Sequence, residues 1–413
     1  MLLSLGCTCS TAGHNLSKFR AYNPRVIRNM ELIRAKRQGY RLLVSWSDGV
    51  EEEFPTVWLL HACTCQKCGL SIKGVRQQRL TDYPARPALE DVWVQNDTLH
   101  IDWGDGHKSS YSGKWLRGHR LSDLGRTERR PLPTIWGADL TLSDPLSYEK
   151  VATDPPENLL MLESIRDLGF VKLCGVPVEA SMTEEIPALV GKRRETNYGI
   201  YELKAKANPE ITGDMAVGLA PHTDEMYRID PPAITFFHVI QPSHMGGDST
   251  LVDGLRLAQR LGKENPNALR TLCEIPARFH RELDEGRHFD LQAPIFRQDE
   301  NGRITGIRLN DRCMAPVDAT PNDTERFYDS LRLLLAMIYS GEETIQLRIE
   351  AGQMLIFNNH RLLHGRTAFD STSGRHVRIV HVDLDEFHSR LRVSLRETGS
   401  PNEWMRLGPG ATA

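Results

Sequence analysis

Polar and apolar residues alternate in two short stretches of the N-terminal quarter of the chain. Residues 40–46 and 98–103 both follow this period of two, and a glycine-containing turn comes directly after each. Such alternation is typical of strands with one buried face. We therefore predict a small β domain over residues 26–116, preceded by a disordered or extended start over residues 1–25.

The pattern changes after residue 150 to longer apolar runs and amphipathic segments. Residues 159–168 repeat apolar positions with a helical period, and Gly169 follows as a helix-ending glycine. The same reasoning predicts further helices at 183–193, 255–262 and 323–340. It predicts strands at 170–176, 233–240, 249–253, 303–309, 345–349, 353–358 and 376–383.

This second region is mainly β with a few flanking helices, which indicates an antiparallel sandwich or barrel over residues 151–400. Residues 117–150 are rich in Arg, Pro, Asp and Ser, and this composition predicts a linker between the two domains. Residues 401–413 are expected to form a tail.

Composition places the chain among globular proteins. Its 413 residues are 40% hydrophobic and 25% charged with a net charge of −3, so no global field favours nucleic acid or an anionic membrane. No apolar run reaches the roughly 20 residues that a membrane helix needs. We expect no nucleic-acid or membrane partner and a cytoplasmic location, although the basic residues 1–30 would also suit a mitochondrial transit peptide.

A histidine and an aspartate two residues apart mark a candidate metal site. His222 and Asp224 would point to the same face at the end of a strand, so both can reach one ion. His364 is the best third ligand, because it follows the strong strand pattern of residues 353–357. Two histidines and one carboxylate make a facial triad, which leaves open positions suited to Fe(II).

Eleven residues beyond His364 stands Arg375, which begins a strand-like stretch. A guanidinium on a neighbouring strand can hold a distal carboxylate through two parallel hydrogen bonds. Iron with open coordination positions and an anion clamp together predict 2-oxoglutarate as the co-substrate, with O2 as the oxidant.

Three cysteines lie within six residues of one another in the N-terminal domain. Cys63, Cys65 and Cys68 could bind zinc through their thiolates, and a structural zinc site requires a fourth ligand. His100 and His107 are both candidates, and His107 follows a Gly-Asp-Gly turn that could bring it towards the cysteines.

Several ordered blocks of the sequence resemble the γ-butyrobetaine dioxygenase and trimethyllysine dioxygenase family, within the wider taurine-dioxygenase-like group. The resemblance covers most of residues 35–395. The blocks that carry it are His222-Thr223-Asp224, 246–249 (GGDS), 359–366 (NHRLLHGR), 375–376 (RH) and 389–392 (SRLR).

This resemblance implies a double-stranded β-helix (jelly-roll) catalytic domain beside a small zinc-binding N-terminal β domain. It implies that His222, Asp224 and His364 bind iron, and that Arg375 binds the far carboxylate of 2-oxoglutarate with Ser249 near the same molecule. It also implies a Cys3His zinc site whose histidine precedes a Trp-Leu pair. Trp115-Leu116 matches that pair, which favours His107 as the zinc ligand.

The substrate-binding positions match this family less closely. Tyr198 fits one position of the aromatic cage that surrounds a trimethylammonium group by cation–π attraction. The other cage positions fall on Glu202, Met215 and His381, and Tyr201 or Tyr227 could compensate. Asn310 matches a position that binds the substrate carboxylate.

We therefore predict a small zwitterionic substrate, betaine-like or amino-acid-like, that is hydroxylated at an unactivated C–H bond. Glu202 is the predicted partner of a less methylated ammonium. Oxidation of an aminophosphonate or another small amine on the same scaffold is an alternative. An inactive zinc-bearing binding module is a second alternative. The apolar helix at 323–340 is expected to pack on the barrel or to form a homodimer contact.

Overall fold

The computed structural model describes residues 30–69, 78–196, 198–204, 215–283, 286–400 and 403–406. The predicted N-terminal segment 1–25 and most of the predicted tail 401–413 lie outside these residues. The described chain divides between Arg130 and Pro131 into two compact units. Among the described helices, none combines the length and the apolar character required to cross a bilayer.

The N-terminal unit is built from two three-stranded antiparallel sheets, β1-β2-β3 and β4-β5-β6. The apolar side chains that alternate along the strands form its core, with Leu42, Val44, Leu99 and Ile101 fully buried. Its elements are β1 (Leu32–Gln38), β2 (Arg41–Trp46), β3 (Glu51–Pro55), α1 (Thr56–His61), a 3-10 turn (Leu80–Asp82), β4 (Asp91–Gln95), β5 (Thr98–Asp102), β6 (Lys108–Ser112), α2 (Gly113–Gly118) and α3 (Asp123–Glu128).

The larger unit is a jelly roll with helices on its flanks. Its elements begin with β7 (Leu146–Ser147), α4 (Tyr148–Thr153), α5 (Pro155–Leu168), β8 (Phe170–Cys174), α6 (Met182–Glu185), a 3-10 turn (Ile186–Leu189), β9 (Tyr201–Lys204), β10 (Leu219–His222), β11 (Ile234–Gln241), β12 (Ser249–Asp253), α7 (Gly254–Glu264) and α8 (Pro266–Glu274). They continue with β13 (Ala277–Leu283), β14 (Arg287–Ala293), β15 (Phe296–Gln298), β16 (Ile304–Ile307), a 3-10 turn (Asp311–Cys313), β17 (Met314–Ala315), α9 (Pro321–Tyr339), β18 (Thr344–Leu347), β19 (Gln353–Asn358), β20 (Leu362–Arg366), β21 (His376–Val382) and α10 (Leu384–Glu397).

Two sheets face each other in this unit. The six-stranded sheet has the order β7-β8-β19-β11-β21-β9, and the four-stranded sheet has the order β10-β20-β12-β18. Side chains alternate across the larger sheet, because successive residues of a strand point to opposite faces. Phe237 and Ile379 pack between the sheets, whereas Phe236 and Val380 pack outward with α5 and α10. This architecture confirms the predicted mainly β fold.

The predicted helix at 183–193 is wrong in length. The α-helical part ends at Glu185, and a 3-10 turn over Ile186–Leu189 follows it. Pro187 explains the difference, because proline lacks the backbone N–H that an α-helix needs and clashes with the preceding turn. In contrast, α5 ends at Gly169 with a left-handed φ of 83°, as predicted.

Residues 117–150, predicted as a linker, contain regular structure instead. They include the end of α2, all of α3, the short strand β7 and the start of α4. Serine caps explain why a polar stretch still forms helices. The Ser122 hydroxyl accepts from the Gly125 N–H, and the Ser147 hydroxyl caps α4 in the same way.

A buried ion pair joins several of these elements. Arg361 and Asp253 are both fully buried and make two hydrogen bonds, of 3.0 and 2.9 Å. Arg361 also donates to the carbonyls of Thr134 and Asp167. Asp253 caps α7 by accepting from the Leu255 N–H at 3.0 Å.

We expect Asp253→Asn to lower the free energy of unfolding by about 3–5 kcal/mol, because it leaves the buried Arg361 charge unpaired. Urea denaturation of the larger unit measures this change. Asp290→Asn removes a carboxylate from the exposed Arg278–Asp290 pair and is the matched control. It should leave the midpoint nearly unchanged. If both variants had the same urea midpoint, the buried pair would stabilise the protein no more than the exposed pair does, which would contradict this prediction.

Candidate active site and metal centres

Two histidines face each other across paired strands of the smaller sheet. His222 is the last residue of β10 and lies opposite His364 of β20. Each Nε2 atom lies 3.5 Å from an oxygen of Asp224. The ligand atoms of the three residues all lie within 4.8 Å of one another. The structure thus brings together the three residues that the sequence predicts as iron ligands.

The protonation states suit a metal. His222 Nδ1 lies 2.9 Å from the Ala220 carbonyl, which can only accept, so Nδ1 donates this hydrogen bond and Nε2 is the nitrogen that faces Asp224. Burial lowers the pKa of His364 to about 4, so its imidazole is neutral. Burial alone would raise the pKa of Asp224, but the adjacent His364 and His222 lower it overall. Two imidazoles and a carboxylate are a donor set that fits Fe(II).

Residues outside this triad fix the turn that carries Asp224. The Asn359 side chain accepts from the Asp224 N–H at 2.7 Å and donates to the Asp224 carbonyl at 3.1 Å. The Thr223 N–H donates to the Leu309 carbonyl at 2.7 Å. The sequence patterns predict no separate role for Asn359. Its only signal was its place in the block at 359–366.

Arg375 and Ser249 line one small cavity inside the barrel. The Arg375 guanidinium lies over the rings of Phe369 and Phe237, at 5.2 and 5.9 Å from their centroids. Gly247 also lines this cavity with a φ of 76°, and a Cβ there would lie 3.4 Å from Arg375 Nε. A side chain at residue 247 would be strained by this φ and would contact Phe369 Cβ at 3.2 Å. The cavity joins the two residues predicted to hold 2-oxoglutarate.

The predicted substrate residues fall in different places. His381 is buried, lies opposite Thr235, and acts electrostatically on Asp224. Asn310 is buried and follows Leu309, whose carbonyl bonds the turn at Thr223. The Tyr198 hydroxyl donates to Glu225, the residue directly after Asp224. These three residues therefore lie around the turn that carries Asp224.

Glu202 does not share this location. It lies opposite Arg378 in the β9–β21 pair, and its carboxylate is hydrogen-bonded by His376 at 3.0 Å and paired with Lys204 at 3.0 Å. Because Arg378 alternates with the inward-facing residues of β21, Glu202 lies on the outer face of the sheet. The structure therefore does not bring Glu202 together with the predicted iron ligands. Met215, another of the predicted cage positions, is 38% exposed to solvent.

Glu225 is a buried carboxylate that the sequence analysis missed. Its side chain is only 10% exposed, one oxygen accepts from Tyr198, and the other pairs with Arg228. Its φ of 49° is unusual for a residue with a side chain. Strain of this kind persists at functional sites when the surroundings enforce it. The adjacent Asp224 was the signal that could have drawn attention to it.

The cysteine cluster forms a second candidate metal centre. The ligand atoms of Cys63, Cys65, Cys68 and His107 all lie within 4.8 Å of one another. His107 Nε2 lies 3.4 Å from the sulfur of Cys63 and 3.2 Å from that of Cys68. Burial and the neighbouring thiols raise the pKa of Cys68 to about 12. A bound cation would offset the mutual repulsion of the thiolates, which fits a closed Cys3His zinc site.

His100, the other histidine considered for this centre, lies elsewhere. Its ring stacks on Trp93 with centroids 5.2 Å apart, and Nδ1 is 2.9 Å from the Ser110 hydroxyl. The geometry therefore groups His107, and not His100, with the cysteines.

A jelly roll that carries a two-histidine, one-carboxylate triad beside an arginine-lined cavity defines the class of Fe(II)- and 2-oxoglutarate-dependent oxygenases. The family model of the taurine catabolism dioxygenase TauD, TfdA family matches residues 128–381. The model of the γ-butyrobetaine hydroxylase-like N-terminal domain matches residues 33–117. The chain belongs to the TauD/TfdA family and is a 2-oxoglutarate-dependent dioxygenase.

Named relatives cover nearly the whole chain. The γ-butyrobetaine dioxygenase of Pseudomonas sp. (strain AK-1) is 33% identical over 86% of this chain and 93% of that protein. The γ-butyrobetaine dioxygenase of Homo sapiens is 26% identical over 85% of this chain and 93% of that protein. The trimethyllysine dioxygenase of Meyerozyma guilliermondii is 26% identical over 88% of this chain and 96% of that protein.

The grouping of His107 with the cysteines can be tested by metal analysis. We expect His107→Ala to lose the bound zinc, since three ligands no longer close the tetrahedral site. His100→Ala should keep one zinc per chain. Elemental analysis of both purified variants measures the difference. Full zinc content in His107→Ala would show that another residue supplies the fourth ligand.

Proposed function

We propose that the chain hydroxylates an unactivated C–H bond of a small zwitterion, with iron held by His222, Asp224 and His364. The observation that carries this proposal is the convergence of these three side chains on one point. Leu251, the strand partner of His364, is two residues along β12 from Ser249, which lines the cavity of Arg375. When bound, Fe(II) and 2-oxoglutarate supply the oxidation: O2 and 2-oxoglutarate become succinate and CO2 as the substrate C–H becomes C–OH.

The protein residues orient the reactants and exclude water. Arg375 is buried among aromatic rings, and this low-dielectric setting strengthens its attraction for a distal carboxylate. Ser249 can donate a hydroxyl hydrogen bond to the same carboxylate. Asn359 keeps the backbone of Asp224 fixed, so the carboxylate need not reorganise when iron binds.

The anionic end of the substrate has candidate partners beside the turn. The Asn310 side-chain oxygen accepts from the Arg312 backbone N–H and from Arg312 Nε, both at 3.3 Å. Burial chiefly lowers the pKa of His364, and Arg312 adds to this effect, so its charge reaches the iron site. Asn310 and Arg312 together would bind a carboxylate.

The cationic end has an aromatic and an acidic partner. Tyr198 and Tyr201 meet edge to face with ring centroids 5.4 Å apart. Glu225 offers one oxygen to the Tyr198 hydroxyl, and an ammonium next to that ring could reach the same oxygen. An ammonium that retains an N–H would gain a charge-assisted hydrogen bond there, which a trimethylammonium group cannot form. The arrangement favours an amino-acid-like substrate over γ-butyrobetaine.

An aminophosphonate is a second candidate substrate. It is favoured because Arg281 adds a second guanidinium near Cys313, besides that of Arg312. Burial raises the pKa of Cys313, and Arg281 and Arg312 both oppose that rise. Two positive charges near the site would suit a doubly charged phosphonate better than a carboxylate. A 2-oxoglutarate-coupled screen of quaternary and primary ammonium acids and phosphonates separates these candidates.

We also propose a homodimer and a cytoplasmic location. Helix α9 buries Phe327, Leu331 and Leu334 but leaves Leu333 and Tyr339 about half exposed, and these two side chains are the proposed dimer contact. A thiolate zinc centre suits a reducing compartment such as the cytoplasm. Light scattering of the purified protein tests the dimer.

The iron assignment makes a direct prediction for turnover. We expect Asp224→Ala to abolish succinate formation, because it removes the only carboxylate of the triad. Asn359→Ala should weaken the affinity for Fe(II) by about 10–100-fold, since it removes a support behind a ligand. Asn267→Ala, in α8, is the control. Wild-type turnover by Asp224→Ala would refute the iron site.

Two glutamates provide a matched test of ammonium recognition. We expect Glu225→Gln to raise KM for an ammonium-bearing substrate about tenfold or more, because a hydrogen bond to a charged group contributes about 1.5–3 kcal/mol. Glu202→Gln should leave KM unchanged, since Glu202 lies on the outer face. Steady-state kinetics of both variants measure this. A larger effect from Glu202→Gln would overturn the assignment.

A further inference from the structure

A second cavity lies behind the turn that carries the iron ligands. Thr223 and Asn359 line it on the side of the turn, and Arg297, Arg308 and His360 line it as well. The Thr223 hydroxyl bonds to Leu309 and does not face the histidines of the triad. The cavity measures about 60 Å³, which is room for a few water molecules or one small ion. No acidic residue is among the described residues that line it.

The positive charge in this cavity lacks a close counter-ion. Arg297 is partly buried, and within the described residues it makes no hydrogen bond or ion pair through its side chain. Burial lowers its pKa, and Asp230 opposes this effect only from a distance. Asp230 is 72% exposed and lies 3.5 Å from Arg194. A guanidinium held in this way carries a desolvation cost that an anion would relieve.

Arg308 adds a second charge to the same cavity. Its terminal nitrogens donate to the carbonyls of Met226, Arg228 and Ile229, at 2.7 to 3.1 Å. These bonds place the guanidinium without neutralising it. Burial and the neighbouring Arg297 lower the pKa of Arg308 to about 10. Two partly buried cations that destabilise each other indicate a site for a multiply charged anion.

His360 supplies an independent observation. It is 5% exposed, and its Nε2 lies 2.9 Å from the Pro231 carbonyl, so Nε2 carries the proton. Its Nδ1 atom is buried and has no hydrogen-bond partner among the described residues. An unpartnered buried nitrogen is costly, and a hydroxyl group of a ligand would satisfy it.

We propose that this cavity binds a small oxyanion of the phosphate class. The two arginines would hold the charged oxygens, and the hydroxyl of a hydrogen phosphate would donate to His360 Nδ1. Chloride has no oxygens to offer the two arginines, and sulfate lacks a hydroxyl that could donate to His360 Nδ1. Because Arg308 holds the carbonyls that follow Asp224 and Glu225, an occupied cavity would also stiffen the iron turn.

The test is calorimetric titration of the full-length enzyme, kept anaerobic with Fe(II) and saturating 2-oxoglutarate. Inorganic phosphate, methyl phosphate, sulfate and chloride are compared at equal ionic strength. We expect saturable binding of phosphate, weaker binding of sulfate and none of chloride. Binding of methyl phosphate would identify a phosphate monoester as the source, and its exclusion would identify the free ion.

Variants separate this site from the iron. Arg297→Met should weaken phosphate binding at least tenfold, whereas Arg332→Met, which removes an exposed arginine of α9, should not. Without phosphate, Arg297→Met should melt no lower than wild type, because it removes a partly buried charge that has no ion-pair partner among the described residues. Arg297→Lys keeps the charge and should retain weaker binding.

Equal phosphate affinity in Arg297→Met and wild type would overturn the proposal, since it would place the ion elsewhere, for example on the iron. Absence of phosphate binding to wild type would overturn it as well. Neither result depends on the substrate or on turnover, so the outcome is independent of the proposed hydroxylation.

Discussion

The buried ion pair between Arg361 and Asp253 is the constraint on which the active site depends. Asp253 ends β12, and Leu362, the residue after Arg361, lies opposite it in β20. The pair therefore sets the register between these strands, and a shift of one residue would turn every side chain of β20 to the other face. His364 lies two residues further along β20, opposite His222. The proposed iron site is thus positioned by an interaction that involves none of its three proposed ligands.

We propose anion binding at two groups of arginines in the larger unit. Arg375 lies between Phe237 and Phe369 inside the barrel, whereas Arg297 and Arg308 lie behind the iron turn. Arg361, which has a permanent carboxylate partner, is structural.

Much of this organisation could be predicted from the sequence. The strands of the core follow alternating or continuous apolar patterns, and the spacing of His222, Asp224, His364 and Arg375 carries the chemistry. Pro187 and the capping residues Ser122 and Ser147 are local signals that would have corrected the predicted helix at 183–193 and the predicted linker. Glu202 was misplaced because its strand face depends on pairing with Arg378, a long-range contact. Arg297 and His360 meet only in three dimensions, so no spacing connects them.

The central claim is that His222, Asp224 and His364 hold iron next to a co-substrate clamped by Arg375. A crystal grown anaerobically with Fe(II) and 2-oxoglutarate, measured at the iron absorption edge, tests it most directly. We expect one anomalous peak among the three side chains, with the far carboxylate of 2-oxoglutarate bound to Arg375 and Ser249. An iron peak elsewhere in the larger unit, or that carboxylate bound at Arg297 and Arg308, would contradict it.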